Sequence, residues 1–366
     1  MKLKILILCM LSISIAGCQK KNDKISLPSS WIGTIKMGDA NPELVFYLYE
    51  DSLGQTAGHL GIPSKGIEKI PFDPPLIIED SIKLNISAAQ ASYHGILNKS
   101  KKTITGTWKE GENTFSLVLS PLDQEIDYTT SKKASTTSLS LEFTSENFKY
   151  YSEKTKKEVL EELSNVLENN YARLTKKLST RFDTEIDVLI YPDIKTFHKA
   201  INYPDAPDWV VGAASKNELK MVSPQNPGSV HTYESLIKAI VHELTHTIVL
   251  NFRDNGLVGL PNWLNEGYAY YEAGQLTQEE KKAVRAKALK KEIPSWQELS
   301  DANTSEFGNL GGYGISATII DFLIKTYGIE KLKQYIINPE TTEQIYNRTI
   351  KDLEQEWLDY IKNNNK

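Results

Sequence analysis

Between Trp31 and about Pro121, apolar positions come in short runs that alternate with polar ones. WIGTIKM, LVFYLYE, QTAGHLGI, DSIKLNIS, SYHGILN, KTITGTW and FSLVLS each read as a strand with one face turned to a core. Turn residues separate most of them, as at Gly38-Asp39, Asp51 to Gly54, Asn98 to Lys101 and Gly111 to Asn113. Short strands at this spacing predict an antiparallel β barrel or sandwich. Gly33, Gly58, Gly95 and Gly106 fall in or beside the strands, where bends or bulges are expected.

The pattern then changes. Residues 122–138 (LDQEIDYTTSKKASTTS) are polar, rich in Ser and Thr, and read as a linker. SLSLEFTSENFKYY reads as a strand. Residues 152–178 carry Val159, Leu160, Leu163, Val166 and Leu167 near a 3.6-residue period and predict a long helix. EIDVLIY is a strand, and WVVGAA and ELKMVS read as two more, adjacent to each other. Beyond them the periodicity is helical over 233–251, 264–274, 277–290, 314–327, 329–337 and 350–363. A small sheet followed by helices is an α+β arrangement. Two domains result, 31–121 and 139–366, as the length of 366 residues favours.

The first residues stand apart from both. Lys2 and Lys4 precede an apolar run from Ile5 to Ile15 that is too short to span a bilayer. It ends in Ile15-Ala16-Gly17-Cys18, which resembles a bacterial lipobox. That resemblance implies a signal peptide over 1–17, cleavage before Cys18, a lipid on its thiol and a polar tether over 18–30. It places the protein in the cell envelope, membrane-anchored and extracytoplasmic; Gln19 favours the outer membrane by analogy. The two cysteines are Cys9 and Cys18, so the folded part offers neither a disulfide nor a thiolate ligand. Any metal there must be held by His, Asp or Glu. A net charge of −5 provides no basic field for nucleic acid. No feature specifies an oligomeric state.

The candidate chemistry lies in VHELTHTIVL, residues 241–250. His242 and His246 share one face of the predicted helix 233–251, so both imidazoles can reach one ion. Ile237, Ile240, Val241, Leu244 and Ile248 make that helix apolar and buried, and a buried histidine pair needs partners. Glu243 points to the side, which suits a base rather than a ligand. This is an H-E-x-x-H motif. A catalytic zinc takes three protein ligands and keeps one position open. The downstream candidates are Asp254, Glu266 and Glu272. Of the remaining histidines, His59 and His94 lie alone in strands and receive no role. His231, just before the helix, reads as a surface or capping histidine, with a further hydrogen-bond donor as the alternative.

With the block PNWLNEGYAY from Pro261 to Tyr270, the chain resembles the gluzincins, the thermolysin-like and aminopeptidase-like clan, and most closely the peptidase-MA-like family. The resemblance implies a gluzincin catalytic domain, zinc, and hydrolysis of peptide or protein substrates. It implies Glu266 as third ligand, with Glu272 the runner-up, and Glu243 as the base that activates the attacking water. It implies Tyr313, in GGYGISATII, as donor to the developing oxyanion. Two departures stand out. Thermolysin-like members carry an acidic residue one turn beyond the third ligand to orient the first histidine. Here that position is Tyr270, which leaves the partner of His242 unassigned. The Gly-x-Met-x-Asn strand of the clan's aminopeptidases is replaced by GAASKNELKMVSP, which counts against an aminopeptidase but still offers an edge strand to an extended peptide. The rival reading is a catalytically idle envelope lipoprotein that binds a ligand through its β-domain. The presence of all four residues, His242, Glu243, His246 and Glu266, argues against it.

Overall fold

The computed structural model describes residues 29–363, apart from 37–40, 52–53, 64–66, 87–90, 112, 123–138, 202, 254–255, 258 and 303. The segment expected to be a signal peptide, Cys18, nearly all of the expected linker and Asp254 therefore lie outside the described residues.

The first part is one nine-stranded antiparallel sheet, curled into a half-barrel rather than split into a sandwich. Its strands are β1 (Ser29–Thr34), β2 (Glu43–Glu50), β3 (Thr56–Ile62), β4 (Ile67–Pro71), β5 (Leu76–Ile78), β6 (Ser81–Ile86), β7 (Ala91–Asn98), β8 (Thr103–Glu110) and β9 (Asn113–Pro121). The order β4-β3-β2-β1-β9-β8-β7-β6-β5 leaves β4 and β5 as edges. Closure into a barrel would need those two to pair, and among the described residues they do not. Both edge strands are short and were not anticipated from the sequence. The alternation is real: β6 buries Ile82, Leu84 and Ile86 and turns the residues between them outward. Phe46, Tyr93, Trp108 and Leu117 fill the concave core, with ring centroids of Phe46 and Tyr93 5.4 Å apart. Gly95 and Gly106 pair across β7 and β8, where a Cβ on Gly106 would lie 2.2 Å from a backbone oxygen.

The second part has its own hydrophobic core, drawn from Leu139 to Ile361. Its sheet contains β10 (Ser140–Thr144), β11 (Phe148–Ser152), β12 (Ile186–Tyr191), β13 (Gly212–Ala214) and β14 (Glu218–Val222), in the order β10-β11-β12-β14-β13. The stretch read as one strand, SLSLEFTSENFKYY, is a hairpin: Ser145 and Asn147 turn the chain, fixed by Glu168. Strands β11, β12 and β14 run parallel, and β13 returns antiparallel along β14. Helix α1 (Lys157–Leu178) crosses over from β11 to β12, and α2 (Ile194–Ala200) follows β12. Then come α3 (Tyr233–Phe252), α4 (Asn262–Glu272), α5 (Gln278–Lys290), α6 (Trp296–Asp301), α7 (Thr304–Leu310), α8 (Gly312–Tyr327), α9 (Ile329–Ile337), α10 (Thr342–Tyr346) and α11 (Ile350–Asn363). The short helices α2, α6, α7 and α10 escaped the periodicity because each spans two turns or fewer. Among the described residues, no helix is long and apolar enough to cross a membrane.

Candidate metal centre

Helix α3 is buried on several sides, and its stripes explain the site. Thr232 and Ser235 form a capping box at its start. Leu236, Ile240, Leu244 and Ile248, all fully buried, recur every fourth residue and seat the helix in the core. Each contributes about 1.5–3 kcal/mol relative to exposure. Two residues on, and so about 200° round the helix, Lys238, His242 and His246 form a second stripe that meets α4 and the turn after it. Between the two lies a third stripe. Thr247 donates to the Ser215 carbonyl at 2.8 Å, Asn251 donates to the Lys216 carbonyl at 2.6 Å, and Glu243 lies against β13. A Cβ on Gly212 would come within 2.6 Å of the Glu243 carboxylate, so the edge strand approaches Glu243 that closely only because residue 212 is glycine.

Helix α4 supplies the rest. Gly267 lets it pack on α8, where a Cβ would meet the Ser316 backbone at 2.7 Å. That contact brings Tyr313, one turn before Ser316, over the site. The next residue back from Gly267 is Glu266. Its Oε2 lies 3.1 Å from His242 Nε2 and 3.5 Å from His246 Nε2, and the two nitrogens are 3.0 Å apart. Among the described residues, these three side chains form the group of His, Cys, Asp or Glu that could hold a metal ion. Ligands about 2.0–2.1 Å from a tetrahedral zinc stand roughly 3.3–3.4 Å apart, and the observed triangle is close to that. Two imidazole nitrogens cannot both carry protons toward each other at 3.0 Å. A cation between them satisfies all three lone pairs at once. The residues present therefore fit zinc. His242 and His246 are buried, and the Glu266 side chain is 19% exposed, so the group opens to solvent on one side.

Without a metal the same triangle perturbs its own protons. For Glu266, burial would raise the carboxyl, but His246 and the hydrogen bonds from both histidines outweigh it and hold the group well below the usual range. For His246, burial works downward; the Glu266 carboxylate and its hydrogen bond, then Glu243 and Asn265, win and raise it to about 9. Burial pushes the Glu243 carboxyl above its ordinary value, with Glu266 adding and the two imidazoles opposing. A carboxylate made more basic is what a proton acceptor requires. Burial, then the charges of Glu266 and Glu243, push the Tyr313 hydroxyl upward, so it stays protonated. Its ring is 6.2 Å from that of His242, 5.1 Å from Phe307 and 6.4 Å from Trp209.

The other candidates go elsewhere. Glu272, the runner-up ligand, does not join the histidines. Its carboxylate is buried at the far side of α4 in ion pairs with Arg173 and with Lys177, the latter at 2.7 Å, so it clamps α4 to α1. His231 stands beside the cap that Thr232 and Ser235 form, not in it: its ring nitrogens face Ser235 Oγ at 3.3 Å and the Trp209 carbonyl at 3.1 Å. His59 stacks on Tyr47, and His94 faces Ser81. Sequence reasoning missed Asn265, whose Oδ1 lies 3.0 Å from His246 Nδ1, and Gln275, whose Oε1 lies 3.0 Å from His242 Nδ1. Asn265 adjoins Glu266 in the quoted block and could have been noticed. Gln275 is 33 positions from its histidine and carries no local signal.

The Peptidase MA superfamily model matches residues 167–363, more than half of the chain, and the chain belongs to that superfamily. No curated protein matches the sequence. Among solved structures, the chain is similar to the M1 zinc metallopeptidase from Deinococcus radiodurans, at 14% identity and a TM-score of 0.34. The similarity covers 75% of this chain and 60% of that one, so the chain spans less than two thirds of that protein's length.

Proposed function

We propose, with that membership as premise, that the protein is a zinc-dependent peptidase with a gluzincin-type centre. The observation that carries the reading is the triangle of His242, His246 and Glu266, with Glu243 beside it and outside it. Zinc held by the three would supply Lewis acidity toward a substrate carbonyl and a water molecule. Two neutral imidazoles and one carboxylate leave that site a net charge of about +1. Glu243 accepts the proton of the attacking water and later delivers it to the leaving amine. Tyr313, held neutral by its surroundings, donates a hydrogen bond as charge develops on the carbonyl oxygen. The thermolysin-like arrangement of a catalytic helix, an edge strand and a following helix that returns with the third ligand is part of this reading. The test is metal content and turnover on the same samples. Wild type should hold about one zinc per chain and cleave within a mixed peptide library. Glu243→Gln should keep its zinc and lose at least about 100-fold in hydrolysis. Zinc binding with no cleavage by wild type would favour a binding module, and loss of zinc in Glu243→Gln would overturn the role given to Glu243.

The envelope location is a second part of the proposal. It is supported by the Ile15-Ala16-Gly17-Cys18 order, which lies outside the described residues. Processing would leave residues 31–121 and 139–366 as two folded units on a lipid-anchored tether, most fittingly in the outer membrane. The separate cores, Trp31 to Leu119 and Leu139 to Ile361, support that division. Cys18→Ser should move the protein out of the membrane fraction or leave it unprocessed. Identical soluble fractionation of wild type and variant would refute the anchor.

A further inference from the structure

We infer that Gln275 is the positioning residue for His242, and that the turn between α4 and α5 is built to hold its amide there. The inference rests on the zinc reading above and deepens it.

The turn is specified atom by atom. At the end of α4 the Gly274 N–H donates to the Tyr271 carbonyl at 3.1 Å, and the Gln275 N–H donates to the Tyr270 carbonyl at 3.2 Å. These are the paired bonds of a Schellman motif, with Gly274 in the left-handed region at φ +63°. A glycine takes that conformation without strain. Lys238, one turn before His242 on the same stripe of α3, donates from Nζ to the Gly274 carbonyl at 3.0 Å. Two residues after Gln275, Thr277 opens α5 with a capping box to Glu280. Glu280 also accepts a hydrogen bond from the Tyr270 hydroxyl at 2.6 Å, and the Tyr270 ring lies edge-on to His242 at 6.4 Å. The N–H and carbonyl of Gly274 and the N–H of Gln275 are therefore all occupied, and the Gln275 side chain turns back to His242 Nδ1 at 3.0 Å.

The chemistry follows from which atom it meets. With its carbonyl oxygen on Nδ1, Gln275 accepts the Nδ1 proton, which leaves the Nε2 lone pair facing Glu266 and His246. Asn265 does the same for His246. Both rings are thus oriented by amides. A carboxylate in either place would add a negative charge next to the ligand and make the imidazole a stronger donor. This chain accepts weaker donors and keeps the full positive charge of the site. The acidic residue that the resemblance expects at position 270 is absent. Gln275, five positions further on, meets His242 Nδ1 instead, and its side chain is uncharged.

The test is zinc affinity by chelator competition on the purified protein with Gln275→Ala and Gln275→Glu, beside thermal midpoints of the metal-free forms. Gln275→Ala should weaken zinc binding by about 10–100-fold, the range for loss of such a partner, with little change in the metal-free midpoint. Gln275→Glu should bind zinc at least as tightly as wild type, because it restores an acceptor and adds charge. Gln275→Ala binding zinc like wild type would overturn the inference. So would Gln275→Glu losing as much as Gln275→Ala, which would mark a packing role. A wild type that takes up no zinc would instead bring down the underlying reading, so the two failures are distinct.

Discussion

The chain holds two pairs of histidines in opposite circumstances. His59 and His94 lie on the β1–β9 sheet, one stacked on a tyrosine and the other exposed on a strand. His242 and His246 lie on α3, buried, each with both ring nitrogens engaged. The residue type is the same; what differs is convergence. The sheet is a meander in which almost every strand meets its sequence neighbour, so distant side chains seldom gather. Around α3 the chain returns four times: with β13 against Glu243, α4 with Glu266 and Asn265, the α4–α5 turn with Gln275, and α8 with Tyr313. A site needs that kind of return, because a buried polar group must find partners and a metal needs several at once.

The sharpest way to break the contrast is to remove one histidine from each pair. His246→Ala should lower zinc content from about one per chain toward none and abolish peptide hydrolysis. His94→Ala should leave both unchanged, with stability within about 0.5 kcal/mol of wild type. Metal analysis and unfolding curves on both variants decide it. Equal zinc in the two would erase the distinction.

A finer contrast lies within α4 itself, between two glutamates on different faces. Glu266→Gln should weaken zinc binding while the fold persists. Glu272→Ala should do the reverse, since it leaves the charges of Arg173 and Lys177 without their partner. The loss should fall near the low end of the roughly 3–5 kcal/mol seen when a buried pair is broken, because both cations keep contact with water. Zinc per folded chain should stay at wild type. Urea unfolding and metal content, measured together, would show whether the two roles separate.

The smallest effect is one of pH. The metal-free His246 is raised from its ordinary 6.5 to about 9, so the stability it contributes is complete below about pH 6.5 and lost as pH rises through about 9. Zinc requires the neutral ring, so its binding gains over the same interval. The rise in thermal midpoint on adding zinc should therefore grow from pH 6.5 to 9. A constant increment would mean that His246 does not hold a proton in the metal-free protein.

Much of this was legible in the order of residues, for a definable reason. A helix places i and i+4 on one face whatever surrounds it, so His242 and His246 had to face the same way, and Glu243 had to point about 100° aside. Strand alternation and helical periodicity likewise marked the two textures, because burial of one face leaves a local period. The sheet's shape was not local. Whether nine strands close, stack or curl depends on which edges meet, and β4 and β5 were too short to announce themselves. Glu266 and Glu272 are about one and two-thirds turns apart on the same helix, and only packing against α3 on one side and α1 on the other decided which carboxylate meets the histidines. Gln275 illustrates the limit best. Its amide reaches His242 because Gly274 turns the chain left-handed after α4 and Lys238 holds that turn to α3. Position 275 has no meaning for a metal until those three elements have come together.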